Sequence, residues 1–594
     1  MMKKINVFKF LIIICCTFFL NTAFSQRFNP FPESVGTVVF ESEEDPIVKK
    51  VASPSIVILS NGDYLVSHDF DRGTSVHVSK DRGKTWNLLS RVAPLIWANI
   101  FEHNGDVYLM GTSKGWGNIV IYRSTNQGKT WSEPKDEFTG ILAKGMFHTG
   151  PVPIVKHKGK IWRAYEEAFD AKNRRDFHAF AICADEDADL LQASSWKRTT
   201  SIRFDEKWIN AKRPNWLEGN LVVTPEGKLV DFIRLETWAG KGVNYTIEGA
   251  AKGKPRNEIA GLIDVDEEHM KMIFKNEKRN FVHFPGAETK FTIRYDSLSK
   301  QYWTITNKIS SFRNTNGRTH DGNWHQRNVL VLMSSSDLMN WTIKKKILKW
   351  GEGMHLRTWD TFGFQYVDWV FDSNDIAFVS RTSWYGFRYH DANMITFHRI
   401  SDFRKSNTNM EPEDLRKYTK HPVLVAIPQA NLKKDRSKIG DFDIVTRLGK
   451  GLVQNARGEL KFATKDKPAK NEKQALALGR YFDVEIRNSK MKNFSVEALT
   501  YTPVTNSGNM KIKWTYSTNG LLFDPITRYL LNVENRVTDT SPEEERTLYL
   551  QVYRPLNSVS AQEGIVLRCY IVGGSEEDVM FNFMDQIVIG GRKL

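Results

Sequence analysis

The chain has 594 residues, a formal net charge of +15 at pH 7, 41% hydrophobic and 26% charged residues. This composition excludes a disordered chain, and the length supports more than one buried core. Four cysteines exclude a disulfide scaffold, because Cys15 and Cys16 fall in the N-terminal apolar run and leave Cys183 and Cys569 to separate parts of the chain.

The first segment joins Met1-Met2-Lys3-Lys4 to an apolar run from Phe10 to Leu20 and then to Ala23-Phe24-Ser25. Basic start, short apolar stretch and small residues predict a cleaved signal peptide over residues 1–25, hence a secreted, periplasmic or cell-surface protein. The run is too short to span a bilayer, and no transmembrane segment is expected after cleavage. A basic exported chain points to an anionic partner. With no nucleic-acid motif present, an acidic polysaccharide or oligosaccharide fits best, bound by a monomer.

From about residue 35 to 405 short β segments alternate with turn residues. Val38-Val39-Phe40 is read as a strand that closes the array on its last member. Hairpins follow at Ile56–Leu59 with Asn61–Tyr64, Phe101–His103 with Asn104–Asp106, and Ile154–His157 with Lys158–Lys160. Three more pair Leu221–Val223 with Glu226–Lys228, Thr292–Tyr295 with Ser299–Gln301, and Phe364–Val367 with Ser373–Asp375. Two near-identical octapeptides lie among them, Ser79-Lys80-Asp81-Arg82-Gly83-Lys84-Thr85-Trp86 and Ser124-Thr125-Asn126-Gln127-Gly128-Lys129-Thr130-Trp131, 45 residues apart. A shorter copy is Ser335-Ser336-Asp337-Leu338-Met339-Asn340-Trp341. A period of this length with strand-like flanks means a propeller or an array of sheets. In the first copy Asp81 can cap backbone amides, Gly83 supplies positive φ, and Trp86 tucks between neighbouring sheets; the second copy has Asn126 in place of the acid.

The pattern S-x-D-x-G-x-T-W resembles the Asp-box (BNR repeat) of the sialidase superfamily. The resemblance implies an N-terminal β-propeller over residues 26–405, and the six hairpin units give it six blades, or seven if residues 245–290 hide a further blade. Residues 406–439, Lys-rich and with Pro422, read as a linker or docking segment. Residues 440–594 continue as strands at Tyr481–Ile486, Met510–Trp514, Leu548–Tyr553 and Ile565–Arg568, whose alternation suggests a C-terminal β-sandwich of jelly-roll or lectin type. The fold class is therefore all-β.

Propellers bind ligands at the mouth of the central channel. Seven positions beyond the turn residues of the hairpins stand Asp69, Thr112, Glu166, Arg234, Asn307 and Arg381, all polar after mainly apolar strands. They are expected to line one rim with His148, Trp216, Glu218 and Trp359-Asp360, which enter from the first strands, and with the adjacent His68 and Tyr165. A register error of one residue would turn these side chains to the other face. Plainer roles are open for each: a Glu166–Arg234 ion pair, a turn cap at His148, packing at Trp216. A second cluster holds His320, His325 and Arg327, and a third Tyr385 and Arg388. Aromatic faces suit sugar rings, and arginine forks suit carboxylate or sulfate. The metal remains unknown. No cofactor is required by the sequence; structural calcium or zinc is compatible with it.

A sialidase resemblance implies an Arg-Ile-Pro signature, three arginines on the sugar carboxylate, an Asp acid, and a Tyr nucleophile paired with Glu. This chain has no Arg-Ile-Pro, and its first rim offers His68-Asp69. The chain is also similar, in residue types, to propeller enzymes of uronate and rhamnose polysaccharides of the ulvan-lyase type. That likeness implies a His–Tyr acid–base pair with arginine neutralising the uronate. The main expectation is thus a secreted polysaccharide lyase acting by β-elimination, with His148, Tyr165, Glu166, Arg234 and Arg381 catalytic. The alternatives are an exo-acting glycoside hydrolase using Glu166, Glu218 and Asp69 as paired carboxylates, and a glycan-binding propeller without catalysis.

Overall fold

The computed structural model describes residues 29–42, 51–70, 73–170, 176–205, 207–208, 214–237, 258–287, 289–309, 326–352, 361–386, 390–408, 410–429, 436–455, 459–463, 468–505, 510–526, 531–532, 545–574 and 580–594. Residues 1–25, read above as a signal peptide, and His320, His325, Trp359, Asp360 and Arg388 lie outside the described residues. The chain divides into two compact units, one of residues 31–418 and one of residues 419–594 with the first thirty.

In the larger unit antiparallel sets of strands follow one another. The first runs Val51–Ile58, Tyr64–Phe70, Gly73–Ser79, Asn87–Val92 in spatial order. The second runs Ile96–His103, Asp106–Thr112, Gly117–Ser124, Ile141–His148. Its last strand also reaches the third set, where His148 pairs with Glu166 of Lys160–Ala168. Phe177–Asp185 and Trp196–Arg198 complete that set. Pro214–Val223, Leu229–Thr237 and Ile259–Asp266 form the fourth, so Ile259–Asp266 is the third strand of this sheet. Thr292–Asp296, Gln301–Asn307, Val329–Ser335 and Thr342–Lys349 form the fifth. In the last set Phe362–Asp372, Asp375–Trp384 and Met394–Ile400 are joined by Thr37–Glu41, so the N-terminal strand pairs with the final sheet as expected.

The first strands lace the sheets into a closed cycle. The Ser55 hydroxyl donates to Asp368 (2.7 Å), tying the last sheet to the first, and accepts from the Ile100 amide (3.2 Å) of the second. The Ile293 amide donates to Asn220 Oδ1 (3.0 Å), tying fourth to fifth, and the Trp369 indole donates to the Thr292 carbonyl (2.9 Å), tying fifth to last. Apolar clusters lie between successive sheets. One unites Leu65 and Val76 with Leu109 and Val120; another unites Trp162 and Ala181 with Trp216 and Ile233. Inner strands such as Val329–Ser335 are buried on both faces because a sheet covers each side, whereas the outer Asn87–Val92 and Thr342–Lys349 stay largely exposed or half-buried. This is the connectivity of a β-propeller.

The turn motifs sit where the third strand of a sheet passes to the fourth. Asp81 accepts from the Thr85 amide (2.9 Å) and the Ser79 hydroxyl (2.8 Å), Gly83 has φ of 91°, and the Trp86 indole donates to the Gly83 carbonyl (3.2 Å). Asn126, Gly128 and Trp131 repeat this arrangement, and Asp337 and Trp341 repeat it with Leu338 at φ 65°.

In the smaller unit two antiparallel sheets share one apolar core. Phe442, Val484, Trp514 and Leu567 come from one sheet, and Ile427, Leu499, Phe583 and Ile589 from the other. Two expectations are corrected. The segment read as a linker contains Val423–Pro428 and Arg436–Ile439, whose alternating residues pair into these sheets. The strand expected over Leu548–Tyr553 ends at Tyr549, and a 3₁₀ turn, Arg554–Asn557, with proline in its first turn, follows. Cys183 and Cys569 are buried free thiols. No helix among the described residues is long and apolar enough to cross a membrane.

Candidate functional site

The predicted rim residues occupy one register. On the second strands, Asp69, Thr112, Arg234 and Arg381 face Ala52, Ile96, Leu217 and Gln365 of the first strands. Directly after each of these partners the pairing slips by a bulge. The bulge residues Ser53, Trp97, Glu218 and Tyr366 all have φ between 49° and 57°, in the left-handed region. Non-glycine residues there cost free energy and persist only where the surroundings fix them, and bulges re-aim side chains beside functional sites. Glu166 holds the same place opposite His148 in the third sheet, and Asn307 in the fifth donates to the Phe364 carbonyl (2.7 Å).

These side chains form a buried charged network. Arg234 donates to Glu218 (2.9 Å), with both side chains under a tenth exposed. His148 Nδ1 meets Glu166 Oε2 at 2.8 Å, and the other oxygen of Glu166 accepts the Gly219 amide at 3.1 Å. Arg381 is electrostatically coupled to Tyr366, Asp391, Asp69 and Glu218. Its guanidinium and that of Arg327 stand 5.0 and 5.8 Å from the Tyr366 ring centroid. Lys290, buried just before the fifth sheet's first strand, donates to the Val367 carbonyl at 2.7 Å.

Burial and neighbours drive the carboxyls apart. Burial pushes Asp69 up to about 7, although the Trp97 amide, Ser53 and Arg381 all favour its anion. Glu218 is equally buried, but Arg234 and then His148 outweigh that penalty and hold it below the ordinary range. Burial raises Glu166 despite the His148 contact. Asp231 is fully buried over Gly219, neither of its oxygens has a hydrogen-bond partner among the described residues, and burial and Glu166 push it well up. Burial lowers Lys290 to about 8. The network around Arg381 therefore holds both an acid protonated near neutrality and a carboxylate kept ionised, the division of roles general acid–base chemistry needs.

Of the expected residues, Asp69, His148, Glu166, Glu218, Arg234, Arg327 and Arg381 meet in this network. Four do not, and the pleat explains why. His68 and Tyr165 are one residue from the rim positions and point the opposite way. His68 stacks on His77 and Phe40, and Tyr165 packs in the apolar cluster with Phe180. Trp216 is sealed among Phe204, Trp208 and Phe274, and Tyr385 between Phe362 and Trp384. The His148–Tyr165 pair expected for elimination is thus not assembled. Sequence reading missed Tyr366, Trp97, Asp231 and Lys290. Tyr366 and Trp97 owe their placement to bulges, which leave no mark on alternation. Among the described residues no cluster of three His, Cys, Asp or Glu side chains is arranged to hold a metal ion.

No protein-family model and no curated protein matches the chain. Among solved structures, the chain is similar to the α-L-arabinanase of Penicillium chrysogenum, solved with arabinobiose, at 13% identity and TM-score 0.38, over 63% of this chain and 99% of that one. A Dyadobacter fermentans protein of unknown function matches at 14% identity and TM-score 0.39, over 61% and 97%. The exo-β-1,3-galactanase of Phanerochaete chrysosporium matches at 10% identity and TM-score 0.31, over 83% and 95%.

Proposed function

We infer that the larger unit is a six-bladed propeller whose rim hydrolyses a glycosidic bond next to an acidic sugar. The observation that carries this is the pairing of Asp69, pushed up to about 7, with the ionised Glu218 across Arg381. Arg234, Arg327 and Arg381 supply the positive field for a sugar carboxylate, in keeping with the resemblance stated above. A carboxylate nucleophile would be repelled by such a substrate, whereas a neutral phenol would not. Tyr366 is the partly exposed phenol beneath two of these arginines. In the proposed step Tyr366 Oη bonds to the anomeric carbon as the glycosidic C–O bond breaks. Glu218 takes the phenol proton, and Asp69 protonates the leaving oxygen. Water then releases the sugar by the reverse transfers. Localisation outside the cytoplasm rests on the N-terminal segment alone.

The test is product analysis on acidic oligosaccharides, following new reducing ends and the ultraviolet absorbance of an unsaturated uronate together. Reducing ends without absorbance, abolished by Tyr366→Phe, support hydrolysis. Absorbance rising with reducing ends overturns it in favour of β-elimination. Retention of glycan with no product makes the rim a binding site.

A further inference from the structure

Beside the arginine cluster lies a group of rings that the proposed chemistry does not use. Trp97 sits at the bulge of the second sheet and Trp116 in the turn between its middle strands. Both have left-handed backbones, φ 57° and 63°, and both remain partly exposed. Their rings meet edge to face at 6.3 Å. Trp116 stacks flat on buried Phe177, with centroids 4.8 Å apart and planes 12° apart, and His148 touches all three rings.

The backbone of Trp97 is held from both sides by buried charged groups. Its amide donates to both oxygens of Asp69 (2.9 and 3.0 Å), and its carbonyl accepts from Arg163 (3.4 Å). Two tryptophans in an unfavourable conformation, one fixed by an otherwise costly buried carboxyl and arginine, are not packing by default. A buried core would place indoles on relaxed strands, as it does Trp162 and Trp216. Here strain keeps ring surface at the rim.

Asp69 joins the two halves. It is coupled to Arg381 on one side and bonded to Trp97 on the other. A general acid stands against the glycosidic oxygen, so the sugar beyond that oxygen must lie on the acid's far side, away from the arginines. We propose that Trp97 and Trp116, backed by Phe177 and His148, form the subsite for the sugar on the leaving-group side, stacking the apolar face of its ring. The enzyme then selects an acidic sugar joined to a further sugar residue over a free acidic monosaccharide. This rests on the hydrolytic reading for its direction, but its binding contrast is measured separately.

The experiment uses the full mature chain carrying Tyr366→Phe, titrated by calorimetry and tryptophan fluorescence with tetragalacturonate, sialyllactose and cellotetraose. The monomers galacturonic acid and N-acetylneuraminic acid are titrated in parallel. At least one oligosaccharide is expected to bind and quench fluorescence. Adding Trp116→Ala weakens that binding by about tenfold or more and removes the quench, while monomer affinity moves less than threefold. Trp116→Tyr restores most of it, and Trp97→Ala repeats the loss. Equal losses for monomer and oligosaccharide, unchanged oligosaccharide affinity, or binding of no oligosaccharide would each overturn the subsite. If Tyr366→Phe retains activity, the hydrolytic assignment fails while the binding contrast stands. If Tyr366→Phe is inactive and the contrast is absent, only the subsite fails.

Discussion

The two ends of each sheet solve opposite problems. At the turn end, Ser79, Asp81, Gly83 and Trp86 satisfy one another within eight residues, and the same solution recurs at Ser124–Trp131. At the rim end the partners are remote in sequence: Glu166 bonds to Gly219, and Asp69 to Trp97. The turn charges are exposed and cheap, and hydrogen bonds hold Asp81 down to about 2. The rim charges are buried, costly, and pushed in opposing directions. Sequence repetition marks the fold-building end, and electrostatic strain marks the chemical end.

If this contrast is right, rim substitutions abolish turnover, and turn substitutions cost stability while leaving turnover per folded molecule intact. The largest effect belongs to Glu218→Gln. It removes the base and strips buried Arg234 of its carboxylate partner, so kcat falls by about a thousandfold or more and stability drops as well, by about 3–5 kcal/mol. Asp69→Asn is next, at about a hundredfold for substrates with poor leaving groups. Its signature lies in the pH profile. The acid must be protonated, so the parent's kcat/KM falls as pH rises through about 7, and the variant loses that limb. A limb that persists in Asp69→Asn would assign the acid elsewhere.

How much was legible in the sequence follows the same division. The hairpins, the closing strand and the polar rim positions could be read because alternation and turn residues are local signals. Tyr366 and Trp97 could not, because each stands one residue past the last regular pair, where a bulge inverts the pleat. The same rule misassigned Tyr165 and His68, which neighbour true rim residues but face the apolar cores. Val423–Pro428 was hidden by the lysines and Pro422 around it, although its own alternation is clear in the sheet.

At the turn end the strongest disruption is Gly83→Ala. Gly83 has φ of 91°, and an added Cβ would overlap the Phe397 ring. Backbone strain and overpacking together cost about 2–5 kcal/mol, read as a lower urea midpoint with unchanged kcat per folded molecule. A loss of kcat at full stability would break the separation of the two ends.

His68 and His77 give a smaller, pH-dependent test of the rim's apolar backing. Their rings meet Nε2 to Nε2 at 3.1 Å, and burial first of all lowers them to about 3 and about 4. The unfolded chain therefore binds more protons below pH 6.5, and stability falls as pH drops from 6.5 towards 4. At pH 5.5 this is about 1–2 kcal/mol per histidine. His77→Phe is expected to flatten the slope of Tm against pH in that window, and an unaltered slope would place the titration elsewhere.

The smallest effect sharpens the comparison most. Asn126 stands where the first motif has Asp81. Asn126 Oδ1 accepts the Thr130 amide (2.9 Å), and its Nδ2 donates to the Thr130 hydroxyl (2.8 Å). In the first motif the corresponding hydroxyl, on Thr85, donates to Asp81 instead (2.5 Å). Asn126→Asp needs only a rotation of the Thr130 hydroxyl to restore that pattern, with both bonds then charge-assisted. Because the turn is exposed, solvent and salt screen most of the gain. Tm should rise by about 1 °C at low salt and by less at 1 M, with activity unaltered. The same gain at both salt concentrations would mean that charge is not what distinguishes the two turns.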